Sequence, residues 1–121
     1  MKAARKILII IRQAPLSSEL PAAALDIMLT AAAFEQDVTL LFSGDGVYHL
    51  GSDQNTRGTG MKNISQALPV LELYDIKKIL VDEQALTKSR LQNQGLIIKS
   101  VPVSLAEIAR ACEDADLVFN F

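Results

Sequence analysis

Lys78-Ile79-Leu80-Val81-Asp82-Glu83-Gln84-Ala85-Leu86-Thr87-Lys88-Ser89-Arg90-Leu91 is the stretch that decides how this chain folds. Ile79-Leu80-Val81 is apolar without alternation, the pattern of a strand buried on both faces of a parallel sheet. From Asp82 onward the residues turn polar at helical spacing, so a strand runs straight into a helix. Asp82 stands at the junction, where a carboxylate can accept from the first N–H groups of the helix. Turns of this kind, at the carboxyl ends of strands, seat ligands and chemistry in open α/β proteins. A cysteine here would gain thiolate character from the helix N-terminus. Asp82 is no such nucleophile.

The same alternation extends in both directions. Ile7 to Ile11, Val38 to Phe42, Leu96 to Val101 and Leu117 to Phe121 are further short apolar runs, read as strands. A very apolar helix is expected between the first two, capped by Ser17 or Ser18, with Pro21 in its first turn and Leu25, Met28, Leu29 and Ala32 on one face. A helix is expected from Asn63, kinked or ended by Pro69, and another from Asp82 to Leu91. Ser104-Leu105-Ala106-Glu107 reads as a capping box opening a last helix to about Asp114. Strands alternating with helices predict an α/β three-layer sandwich, a parallel five-stranded sheet flanked by helices, over residues 1–121 as one domain. The polar segment Gly51 to Lys62 reads as a long loop, either a partner-binding loop or a simple connector.

Composition excludes several classes. Half of the 121 residues are hydrophobic and 21% are charged, which is globular rather than disordered. A net charge of −2 offers no basic excess for direct nucleic-acid binding. The pair Lys77-Lys78 reads as a solvated edge. No apolar run nears the roughly 18 residues of a membrane span. Five apolar residues, Ile7 to Ile11, fall short of a signal peptide. A lone cysteine, Cys112, excludes an internal disulfide and suits a cytoplasmic chain.

No group of residues assembles a convincing catalytic constellation. Ser43-Gly44-Asp45-Gly46 follows the second strand and reads as a tight turn, without the spacing of a nucleotide fingerprint. His49 is the only histidine, a poor metal ligand when alone. Cys112 shares a helix face with Ile108 and Ala111, which points the thiol inward, where cysteine behaves as a small hydrophobe. Asp82 and Glu83 are adjacent in sequence and do not face each other on a helix. Helix capping accounts for them.

Asp45-Gly46-Val47-Tyr48-His49-Leu50, Gly60-Met61-Lys62-Asn63, Leu73-Tyr74-Asp75-Ile76 and Asp116 to Phe121 together resemble the DsrE/DsrF-like family, and within it the TusC/DsrF branch. Ile10 to Pro15 and Ala32 to Val38 fit the same pattern. The resemblance implies a subunit of a sulfur-relay heterohexamer built with TusB/DsrH-like and TusD/DsrE-like subunits, fed by persulfide carrier proteins. It implies that the sulfur-carrying cysteine of the TusD/DsrE-like subunit follows the third strand, a position that falls at or next to Asp82 here. The expectation is therefore a non-catalytic TusC-like subunit serving 2-thiouridine formation at the tRNA wobble position. It would have no cofactor and no metal, and Asp45, Tyr48 and Lys62 would contact partners. Excess apolar surface predicts homo-oligomers when the chain is alone. A DsrF-like subunit in sulfur oxidation is the alternative. A small acid–base enzyme using Asp45, His49 and Asp82 is a further one. A nucleotide-binding module is disfavoured, because Gln13-Ala14-Pro15-Leu16 lacks a glycine after the first strand.

Overall fold

In the computed structural model the described residues are 5–13, 20–50, 71–74, 76, 78–90 and 100–121. In chain order they form β1 (Lys6–Ile11), α1 (Leu20–Ala33), β2 (Asp37–Phe42), a 3-10 helix (Gly44–Leu50), a short 3-10 turn (Glu72–Tyr74), β3 (Lys78–Asp82), α2 (Glu83–Ser89), β4 (Val101–Val103), α3 (Leu105–Asp114) and β5 (Leu117–Asn120). The sheet is five-stranded, with order β4-β3-β2-β1-β5. Every pairing is parallel, as the unbroken apolar runs require.

Strand alternation divides the core in two. Ile7, Ile9, Ile11, Val38, Leu40, Phe42, Ile79 and Val81 face one side. There they meet Leu25 and Met28 of α1, Leu86 of α2, and Val47 and Leu50 of the 3-10 helix. Leu8, Ile10 and Leu41 face the other side, under Ile108, Ala111 and Cys112 of α3. Topology explains the division. From β1 to β4 the chain steps across the sheet in one direction, and from β4 to β5 it steps back over β3, β2 and β1. Right-handed crossovers then put α1 and α2 on one face and α3 on the opposite one.

Two expectations change in detail. The fourth strand, expected over 96–101, is described as Val101–Val103, with Pro102 inside it. β4 is an edge of the sheet, where the missing N–H of proline can face outward at no cost to the ladder. Residues 91–99 lie outside the described residues. The turn expected at Ser43 to Gly46 does not end there but winds on as the 3-10 helix to Leu50. The expected caps Ser17 and Ser18, the loop 51–62 and the helix from Asn63 through Pro69 also fall outside the described residues. The capping box is present as read, with Ser104 and Glu107 bonded reciprocally at 3.2 Å.

Candidate functional site at the carboxyl edge of the sheet

Asp82 ends β3 in extended backbone, and its carboxylate caps α2. Oδ1 accepts from the Gln84 and Ala85 N–H groups at 3.0 and 3.5 Å. Oδ2 accepts from the Ser43 hydroxyl at 3.1 Å. Both oxygens of the half-buried group are therefore engaged, one by its own helix and one by the neighbouring strand end. The register that sets Phe42 beside Val81 is what brings Ser43 to Asp82. Adjacent parallel strands were the signal in the sequence, but their order was needed to use it.

Ser43 also ties the edge to β1, because its N–H donates to the Ile11 carbonyl at 3.0 Å. The 3-10 helix then lies against the end of β1. A Cβ at Gly46 would come within 1.9 Å of the Ile11 carbonyl oxygen. Gly46 is thus required by close approach rather than by an unusual φ. Gly44 takes the left-handed conformation, at φ 53°, and turns the chain out of β2.

His49 is buried to 1% exposure. Its ring lies 5.9 Å from that of Phe42. Nε2 sits 2.8 Å from the Gln13 carbonyl oxygen. A carbonyl only accepts, so Nε2 carries the proton in this contact. Burial lowers the pKa of His49 below its ordinary value, and the Gln13 bond opposes that shift without cancelling it. The imidazole is therefore a neutral strut between the 3-10 helix and the chain leaving β1. As Asp82 is engaged by Ser43 and α2 while Asp45 is exposed, this geometry gives the acid–base reading of Asp45, His49 and Asp82 no support.

Asp45 and Tyr48 are exposed on the same 3-10 helix, Tyr48 to 41%. Lys62, the third expected partner contact, lies outside the described residues. Cys112 is half-buried among the α3 contacts on the opposite face. Counting from the cap Ser104, it lies about 12 Å along the helix from the carboxyl edge.

The chain leaves β3 for one face and β4 for the other, so the two strand ends part at a topological switch point, where open α/β sheets bind ligands. A recess of about 400 Å³ opens there, lined by Glu83, Gln84, Thr87, Lys88, Ser104 and Leu105. Among the described residues, no cluster of His, Cys, Asp or Glu could hold a metal ion. None of their helices is long and apolar enough to cross a membrane.

Comparison with known proteins gives a consistent picture. The model of the DsrE/DsrF-like family matches residues 5–121. The chain is 38% identical to the intracellular sulfur oxidation protein DsrF of Allochromatium vinosum, over 97% of this chain and 96% of that one. It is 31% identical to the TusC homologue of Vibrio parahaemolyticus, over 91% and 93% of the two chains. Among solved structures it is similar to the ychN protein from E. coli, with a TM-score of 0.83 and 25% identity over 97% and 99% of the chains.

Proposed function

We propose a role from one premise: the chain belongs to the DsrE/DsrF-like family. It works as an accessory subunit of a sulfur-relay complex, shaping a neighbouring sulfur-carrying site without carrying sulfur itself. The observation that supports this is the state of Asp82. A residue at the strand-to-helix turn, where relatives of the TusD/DsrE kind would hold a cysteine, is here a carboxylate. It is occupied by Ser43, Gln84 and Ala85. The one thiol, Cys112, packs on the other face of the sheet. Asp45 and Tyr48 are the described residues that would touch partner subunits, and Lys62 completes the expected set.

Two destinations for the sulfur have support. Similarity to TusC homologues, taken with what the TusC/DsrF resemblance implies, gives the first reading, thiolation of the tRNA wobble uridine. The 38% identity to DsrF favours intracellular sulfur oxidation. Deleting the gene and measuring 2-thiouridine in cellular tRNA separates them. Loss of the modification, restored equally by the wild-type chain and by Cys112→Ser, is the outcome expected for the tRNA relay. Unchanged 2-thiouridine moves the role to sulfur oxidation or out of sulfur transfer altogether. Failure of Cys112→Ser to restore a function that the wild-type chain restores would overturn the accessory reading in either pathway.

A further inference from the structure

At the amino edge of the sheet, on the face that α3 covers, lies a recess of about 230 Å³. It opens between the last turn of α3 and the first residues of β1, β2 and β3. Strand register lays out its surface: Lys6 lies beside Asp37, Leu8 beside Thr39, and Thr39 beside Lys78. Leu8, Leu80, Ala111 and Ala115 give it an apolar lining. On its rim Lys78 and Asp37 pair with each other at 3.4 Å.

Two charges in the lining are left over. Among the described residues neither the Lys6 ammonium nor the Asp114 carboxylate has an ion-pair partner. Asp114 is also placed against the helix dipole. It closes α3, whose last turn carries Glu113 and Asp114 and no basic residue, whereas the C-terminal end of a helix favours cations. The other end of the same helix obeys the rule, with Glu107 in the first turn. The departure is therefore confined to the end that faces the recess, and local departures of this kind collect at functional sites.

We infer that the recess binds a free α-amino acid with an aliphatic side chain. The ammonium group meets Asp114 and the negative end of α3, the carboxylate meets Lys6, and the side chain lies on Leu8 and Leu80. Size restricts the class. Pockets for drug-sized ligands start at roughly 300 Å³, so this recess takes a smaller molecule. Charge restricts it further. Lys6 and Lys78 are balanced by Asp37 and Asp114, so the lining has no net charge to offer a simple anion or a simple cation. A dipolar ion with an apolar tail uses all three kinds of surface. The site lies at the edge of the sheet opposite to Asp82 and does not rest on the sulfur-relay reading.

The test is an NMR titration of the full chain with L-leucine and with its two halves, 4-methylpentanoate, which lacks the ammonium, and 3-methylbutylamine, which lacks the carboxylate. Leucine should bind saturably with a Kd of about 1 mM or tighter, and each half about tenfold more weakly. Lys6 and Asp114 are exposed, so substituting them leaves the core intact. Lys6→Gln should weaken leucine about tenfold and leave 3-methylbutylamine unchanged, and Asp114→Asn should weaken leucine equally and leave 4-methylpentanoate unchanged. Absence of saturable leucine binding up to about 10 mM, a half that binds as tightly as leucine, or leucine binding that both variants retain would each overturn the inference.

Discussion

Asp82→Ala removes the group that holds two strand ends and a helix together, and the cost follows from its bonds. Loss of an N-cap costs about 1 kcal/mol. A hydrogen bond from a hydroxyl to a carboxylate contributes about 1.5 kcal/mol more, and its loss also leaves Ser43 without that acceptor. The contributions overlap through one carboxylate, so the expected loss is about 2 kcal/mol. Asp82→Asn keeps an oxygen for the Gln84 and Ala85 N–H groups, and the Ser43 hydroxyl can rotate to accept from the amide. It should cost only about 0.5 kcal/mol. Urea unfolding resolves the two. With a slope of about 1–2 kcal/mol/M, the alanine midpoint falls by about 1–2 M and the asparagine midpoint by a few tenths. The cycle with Ser43→Ala should give a coupling near 1 kcal/mol. An alanine variant as stable as the wild type, or an asparagine variant as damaged as the alanine one, would refute a capping role. The second result would mean that the negative charge itself is what the site needs.

Gly46→Ala drives a methyl into the Ile11 carbonyl. It should destabilise the fold by about 3 kcal/mol, a drop of about 10 °C in the thermal midpoint. A change under about 2 °C would show that the 3-10 helix gives way freely. His49 makes stability depend on pH. Its folded pKa is lowered, so the unfolded chain takes up the proton first. The His49 contribution is complete above about pH 6.5 and is lost as pH falls below it. Urea midpoints between pH 7.5 and 5.5 should therefore decline, and His49→Gln should flatten the decline. Because His49 is the only histidine, an unchanged slope in that variant would remove it as the cause.

The fold was legible because its central strands are buried on both faces. Ile7 to Ile11 has no polar alternation to confuse with an edge hairpin, and the junction at Asp82 marks where strand gives way to helix. The capping box at Ser104 was legible for a similar reason, since its two partners are three residues apart. Contacts between distant segments were not legible. Ser43 and Asp82 are 39 residues apart, and Gln13 and His49 are 36 apart. Each pair meets only because β2 lies between β1 and β3. The continuation of the fourth strand through Pro102 was not legible, because proline fits a strand only where its missing N–H faces outward, and which strand lies at the edge follows from the strand order. The site was legible in its central residue and obscure in its support, since periodicity reports faces and not neighbours.

That support bears on why a carboxylate suits this turn in a subunit without a nucleophile. The Ser43 O–H and the Gln84 and Ala85 N–H groups are donors to the two oxygens of one carboxylate. A thiolate or persulfide anion there would draw on the same donors, which is what makes a cysteine at a helix N-terminus acidic. Asp82 supplies an anion of its own and keeps the donors permanently satisfied, so the helix start and the strand ends stay in register with no sulfur bound. An apolar replacement would leave the donors unmet, and a cysteine would restore reactivity. On the accessory reading, the carboxylate retains the architecture of the turn while withdrawing its chemistry. What the subunit contributes on that reading is its outer surface, on which Asp45 and Tyr48 stand exposed at the carboxyl edge.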